Sequence, residues 1–259
     1  MDLRRHAPAR LHPGPHCMVF YHLVGQTIEQ HPHPAWKIII PVAGHVTWAS
    51  GNGPSNSTAA VVFPPQITHV TTTTAESAEV FIDPWFLGLG PGHGRAIPLD
   101  QSAVEHVRTL WHPDIDGDPD ERVRETAALL RRWELLPQAI SIDPRVEAAL
   151  RDLPIASRIQ HVATAVGLSS SRLRGLIHVQ TGTPPAQLRL WQRLRIAIVS
   201  LLVQPIVAAA VDAGFADQAH LTRTATRLVG YTPRDLACAL SSAPDPRDGD
   251  RLPATASAA

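Results

Sequence analysis

Gly167-Leu-Ser-Ser-Ser-Arg-Leu-Arg-Gly-Leu-Ile177 and, further on, Gly214-Phe-Ala-Asp-Gln-Ala-His-Leu-Thr-Arg223 are two copies of one pattern. Three anchors hold the register, Gly167 with Gly214, Leu173 with Leu221 and Gly182 with Gly230, which lie 47, 48 and 48 residues apart. Each copy reads as helix, tight turn, helix. In the first, Val162, Ala163 and Val166 give a short helix an apolar face; Gly167 supplies the positive φ that ends it, Leu168 plugs the angle, and Ser169 caps the next helix. Leu173, Leu176 and Ile177 then point inward. In the second copy Pro205 starts a helix whose apolar side is Ile206, Val207, Ala210 and Val211. Gly214-Phe215 is its turn and plug, Asp217 caps the following helix, and Leu221, Ala225 and Leu228 face the core. Between the copies, Gln187 to Val203 reads as a long helix with a buried stripe of Leu188, Trp191, Leu194, Ile198 and Leu202.

This packing leaves Ser170, Ser171, Arg172 and Arg174 on the outer side of the first copy. In the second it leaves Gln218, Ala219, His220, Thr222 and Arg223 outside. The chain is 259 residues long with zero net charge, yet it holds 11 Lys and Arg against 16 Asp and Glu up to Leu150, and 10 against 4 from Arg151 to Leu236. A basic block of +6 beside an acidic one of −5 is the asymmetry that a polyphosphate partner requires.

The two quoted stretches, with Thr181-Gly-Thr-Pro184, Arg193-Leu-Arg-Ile-Ala197 and Gly230-Tyr-Thr-Pro233, resemble the AraC/XylS transcription regulators from about residue 155 to 236. The resemblance implies an all-helical domain that grips double-stranded DNA with two helix-turn-helix motifs, their recognition helices entering successive major-groove segments. It places positions 170, 171, 174 and 175, and 218, 219, 220, 222 and 223, against base edges or phosphates. Arg174 and Arg223 suit guanine and Gln218 suits adenine. Gly175 and Ala225 depart from the family, which often has a large polar residue at the first position and an aromatic at the second.

The N-terminal half has a different texture. Lys37 to Pro41, His45 to Trp48, Ala59 to Phe63, Thr68 to Thr74 and Glu79 to Ile82 are short β-prone runs separated by Gly-Asn-Gly and Pro-Pro, which predicts an antiparallel sandwich or barrel. Helices are predicted from Val104 to Leu110, from Glu121 to Leu136, and after the cap Asp143 with Pro144. The expected fold is therefore α+β with two domains: a β-barrel or sandwich at 1–100, a helical linker or dimerisation segment at 101–142, an all-α DNA-binding domain at 143–240, and a disordered tail at 241–259.

His31-Pro-His33, Gly44 and Pro64-Pro65 ahead of His69 resemble a cupin barrel of the kind that many AraC regulators carry. That resemblance makes His31, His33, Lys37 and His69 candidates for a small-molecule effector site, with Trp36, Trp48, Phe63 and Phe81 as walls. Lys37 and the histidines favour an anionic or polar ligand. Cupin enzymes hold a metal with an H-x-H, a glutamate and a later histidine; here Trp36 or Lys37 occupies the glutamate position, so neither a metal nor another cofactor is expected.

The rival reading is a metal-dependent cupin enzyme with a helical accessory domain, using His31, His33 and His69. A third is a regulator whose N-terminal half only dimerises or binds a protein. Cys17 and Cys238 form no pair, Met1 to Pro15 has no apolar run of a secretory signal, and Ile196 to Val211 is too short and interrupted to span a bilayer. A cytoplasmic, non-enzymatic regulator is expected. Its further partners are a second copy in a homodimer and, if it activates, RNA polymerase.

Overall fold

The computed structural model describes residues 8–241 except 23–25, 52, 93, 113–116, 137 and 157. Of the tail read at 241–259, Ser241 alone lies among these residues, and it ends the last helix.

The strands are β1 (Arg10–Pro13), β2 (Cys17–His22), β3 (Gln26–His31), β4 (Trp36–Pro41), β5 (Val46–Ser50), β6 (Asn56–Thr58), β7 (Ala60–Phe63), β8 (His69–Thr73), β9 (Ser77–Ile82) and β10 (Ile97–Leu99). They pair antiparallel in a six-stranded sheet, β1-β2-β9-β4-β7-β10, and a four-stranded one, β3-β8-β5-β6. This is the pair of antiparallel sheets that the expected barrel or sandwich requires. Every residue of β2, β4 and β9 is buried, because both faces of the larger sheet are covered. Directly opposed residues share a face, so the pairings Phe20 with Glu79, Ile39 with Glu79 and Lys37 with Phe81 put these five side chains on the face toward the smaller sheet.

The opposite face, with Val19, Trp36, Ile38 and Val80, packs under helices α1 (Gln101–Leu110) and α2 (Pro119–Arg132) through Val104, Val107, Val123 and Leu130. The segment read as a linker or dimerisation element thus has its apolar faces on the sheet. Trp36, expected as a pocket wall, lies on this side too, and its indole N–H donates to the Gly90 carbonyl at 2.8 Å. Strands β1 to β3 were not anticipated; in β2, Cys17-Met-Val-Phe-Tyr21 is continuously apolar, and such a run has no alternation to betray a strand.

The second half is helical: α3 (Pro144–Asp152), α4 (Ile159–Ala165), α5 (Ser170–Thr181), α6 (Pro185–Ser200), α7 (Ile206–Asp212), α8 (Gln218–Leu228) and α9 (Pro233–Ser241). Asp143, Ser169 and Asp217 cap α3, α5 and α8 through their side chains, as their positions predicted. Two expectations fail. The connector α6 ends at Ser200, which leaves Leu202 54% exposed; in α7, Val207 and Val211 are 58% and 60% exposed. The buried residues there are Ala209, Ala210 and then Ala213, because close approach of a crossing helix selects small side chains over larger apolar ones.

The two halves share a core. Trp191, Leu194, Phe215, Leu221 and Tyr231 pack in one apolar cluster with Leu11, Phe20, Ile28 and Phe81 from the strands. Asp83, just after β9 and buried, accepts from the Trp191 indole N–H at 2.8 Å and from the Arg195 guanidinium, which also donates to the carbonyls of Gly14 and Pro15. Among the described residues no helix is long and apolar enough to cross a membrane.

Candidate nucleic-acid interface

The same turn is built twice. The Leu168 N–H donates to the Ala163 carbonyl at 2.9 Å, and the Phe215 N–H donates to the Ala210 carbonyl at 2.9 Å. Both bonds close around a left-handed glycine, Gly167 at φ 68° and Gly214 at φ 80°. Ala163 and Ala210 are buried, so each short helix meets the helix that follows without a large side chain between them.

The outer ridges then follow. In α5, Ser171, Arg172, Arg174 and Gly175 are exposed and Ser170 is half-buried; in α8, Gln218, Ala219 and Arg223 are exposed, with His220 and Thr222 half-buried. Two of these have local duties. The His220 ring stands edge-on to Phe215, 5.2 Å between centroids, with its Nδ1 3.5 Å from the Ala216 N–H; the Thr222 hydroxyl donates to the Gln218 carbonyl at 2.9 Å. The guanidinium groups of Arg174 and Arg223 extend from the ridges. Arg158, just ahead of α4, and Arg227, in the last turn of α8, are exposed as well. The sequence reading counted them as charge and gave them no position.

It also missed how the two motifs are joined. On α6, the Arg189 Nε donates to the Leu153 carbonyl at 3.1 Å, the Gln192 amide to the Leu150 carbonyl at 2.7 Å and the Arg193 Nε to the Pro154 carbonyl at 2.8 Å. These residues, at i, i+3 and i+4, satisfy carbonyls at the end of α3 that have no partner within that helix. Arg193 also donates to the Gly214 carbonyl at 2.7 Å and so holds the second turn. The residue after each repeat-end glycine reaches the strand half: the Thr183 hydroxyl donates to the Pro34 carbonyl at 3.3 Å, and the Tyr231 hydroxyl lies 3.3 Å from His22 Nε2.

Among the effector candidates, His31 ends β3 opposite His69, while His33 lies in the loop before β4. The rings of His33 and His69 are 5.0 Å apart; Phe63 stacks on His69 at 3.8 Å, and the Nδ1 atoms meet the Ala35 and Ile67 carbonyls. Lys37 Nζ is 3.4 Å from Glu79 Oε1 and 5.0 Å from the Phe81 ring centre, and Glu79 Oε2 is 3.8 Å from His22 Nε2. The sheets thus bring His33, Lys37 and His69 together, against aromatic rings and an internal carboxylate. Glu79, an acid inside an apolar strand run, was the sequence signal for that carboxylate. Among the described residues no group of three His, Cys, Asp or Glu is placed to hold a metal ion. A cavity of about 800 Å³ opens elsewhere, between the β1–β2 turn, residues 83–87, α3 and α6.

Residues 162–237 match the family described as a helix-turn-helix domain. Among solved structures, the chain is similar to ToxT from Vibrio cholerae, with 10% identity and a TM-score of 0.58 over 87% of this chain and 98% of that one. ToxT from Vibrio cholerae with bound unsaturated fatty acid gives 11% identity and a TM-score of 0.57 over 90% and 99%. ToxT bound to (E)-4-(8-methylnaphthalen-1-yl)but-3-enoic acid gives 11% and 0.57 over 85% and 96%. At this identity the likeness is one of fold, and it extends over both halves. Comparison with curated protein sequences gives no match.

Proposed function

We propose that this chain, whose residues 162–237 form an AraC-type helix-turn-helix domain, is a sequence-specific DNA-binding transcription regulator controlled by a small molecule that acts through its strand half. The observation that carries the DNA-binding part is the duplicated turn with two outward ridges, each bearing an exposed arginine. On this reading Ser170, Ser171, Arg172 and Arg174 of α5 and Gln218, Ala219, His220, Thr222 and Arg223 of α8 meet the duplex, Arg174 and Arg223 reaching guanine O6 and N7. Small-molecule control is supported by the shared core and by Thr183 and Tyr231, which tie the end of each motif to the strand half. ToxT, whose fold this chain shares, is held with a fatty acid in one structure and an aromatic butenoic acid in another. A homodimer, and RNA polymerase if the protein activates, complete the expected partners.

The test uses the full chain and a randomised duplex library to select a preferred site. Affinity for that site should fall steeply as salt rises, since displaced counterions drive binding. Arg223→Ala should lower the preference for that site over others by about 1–3 kcal/mol. A uniform loss across all sequences would reassign Arg223 to a phosphate, and the absence of a preferred site would defeat the proposal.

A further inference from the structure

Gly175 stands in the middle of α5, exposed on its outer ridge. A glycine inside a helix is disfavoured against alanine, because it gives up the most backbone freedom on folding. Every other glycine among the described residues has a local reason to lack a side chain. Each has a positive φ or, as at Gly14 and Gly53, would bring a Cβ to 3.0 Å from a neighbouring atom. Gly175 has neither. Its backbone is that of an ordinary helix, and a Cβ there would meet nothing within 4 Å among the described residues. The fold itself therefore gives no reason for this glycine, and its position on the ridge turns attention to what the ridge meets.

Leu173 answers Leu221 at a distance of 48 residues, so Arg174 answers Thr222 and Gly175 answers Arg223. The exposed arginines of the two ridges are thus not equivalents. Successive helix residues point about 100° apart, and the centre of the first ridge is a notch where the second carries a guanidinium. One turn to either side of Gly175 lie Ser171 and Val179, both exposed and uncharged, Val179 by 70%. The corresponding neighbours of Arg223 are Ala219 and Arg227. Such a notch suits a phosphate poorly: it has no charge of its own, and a mid-helix backbone N–H is already bonded within the helix. It suits an apolar group, and on the major-groove edge of a base pair that group is the thymine C5-methyl. We propose that Gly175 is a specificity-determining position, where the missing side chain lets the α5 backbone close on a thymine methyl. The preferred duplex then has two unlike halves, one that needs a thymine under α5 and one that needs a guanine under Arg223.

This assignment rests on the DNA-binding reading above, and the experiment separates the two. The full-length protein is titrated with its selected duplex, in which each thymine is replaced in turn by deoxyuridine, a base that lacks only the C5-methyl. At one thymine the wild type should lose affinity about fourfold, the effect of one buried methyl. Gly175→Ala should raise the midpoint of urea unfolding, since alanine is the better helix residue and meets no neighbour. The same variant should bind the selected duplex about tenfold more weakly, because its methyl crowds a closely packed contact. It should also cease to tell thymine from deoxyuridine at that position, whereas Arg223→Ala should keep the distinction. Wild-type affinity in Gly175→Ala, or a variant that still tells the two bases apart, overturns the assignment. A lower urea midpoint for Gly175→Ala also overturns it, since the glycine would then serve the fold. A selected duplex in which no thymine methyl matters removes this assignment alone, and a wild type that selects no duplex removes the DNA-binding reading with it.

Discussion

Gly214 and Gly167 occupy equivalent left-handed positions, but their surroundings differ. A Cβ on Gly167 would meet nothing within 4 Å, whereas one on Gly214 would lie 3.0 Å from the Arg193 Cζ. Substitution by alanine costs about 1–2 kcal/mol at either position for the backbone alone. Gly214→Ala should cost about 1 kcal/mol more than Gly167→Ala, because it also pushes on a guanidinium that holds the Pro154 and Gly214 carbonyls. Urea denaturation of the two variants measures the difference, and equal losses would mean that Arg193 does not bracket the turn. Both glycines were legible in the sequence, since a positive φ leaves a residue-type signature. Arg193 was not, because a guanidinium that caps a distant carbonyl has the same composition as one that only solvates a surface.

At the scale of single elements, the caps are the most legible feature and also the most pH-sensitive. The Asp143 carboxylate accepts from the Arg145 backbone N–H at 2.9 Å and from its guanidinium at 3.0 and 2.6 Å, and these bonds hold its pKa down to about 2, below the ordinary aspartate range. A depressed pKa in the folded state contributes stability above the unfolded value near 4 and loses it as pH falls toward 2. Asp143→Ala should therefore lower the melting temperature at pH 7 by more than it does at pH 2, where about half of the wild-type carboxylates are protonated and most of that contribution is gone. A difference that does not change with pH would place the cap in its neutral hydrogen bond alone. The helix α7 was the least legible element: Val207 and Val211 look like its core face, yet the alanines take that face because α6 crosses closely. Hydrophobicity ranks the valines higher, and only the partner's distance reverses the order.

For the whole molecule, the shared cluster predicts one cooperative unfolding transition for both halves, with calorimetric and van't Hoff enthalpies equal. Two separable transitions would contradict it. Asp83 is the polar centre of that contact, and removing it leaves the Trp191 N–H and the largely buried Arg195 without their carboxylate. Asp83→Ala should destabilise the protein by about 3–5 kcal/mol, the cost of breaking a covered charge pair from one side. A loss below about 1 kcal/mol would make it an ordinary surface pair. None of this was readable in advance: Trp191 and Asp83 are 108 residues apart, and a contact at that separation has no period, cap or turn residue to announce it.

The common apolar cluster also bears on how such chains are recombined. Exchange of the strand half for that of a relative would set foreign side chains against Trp191, Phe215 and Tyr231, whose complements here are Leu11, Phe20, Ile28 and Phe81. Chimeras cut near residue 142 will fold only when those four positions are transplanted with the helices, so inheritance and engineering alike must treat the seam as part of both modules.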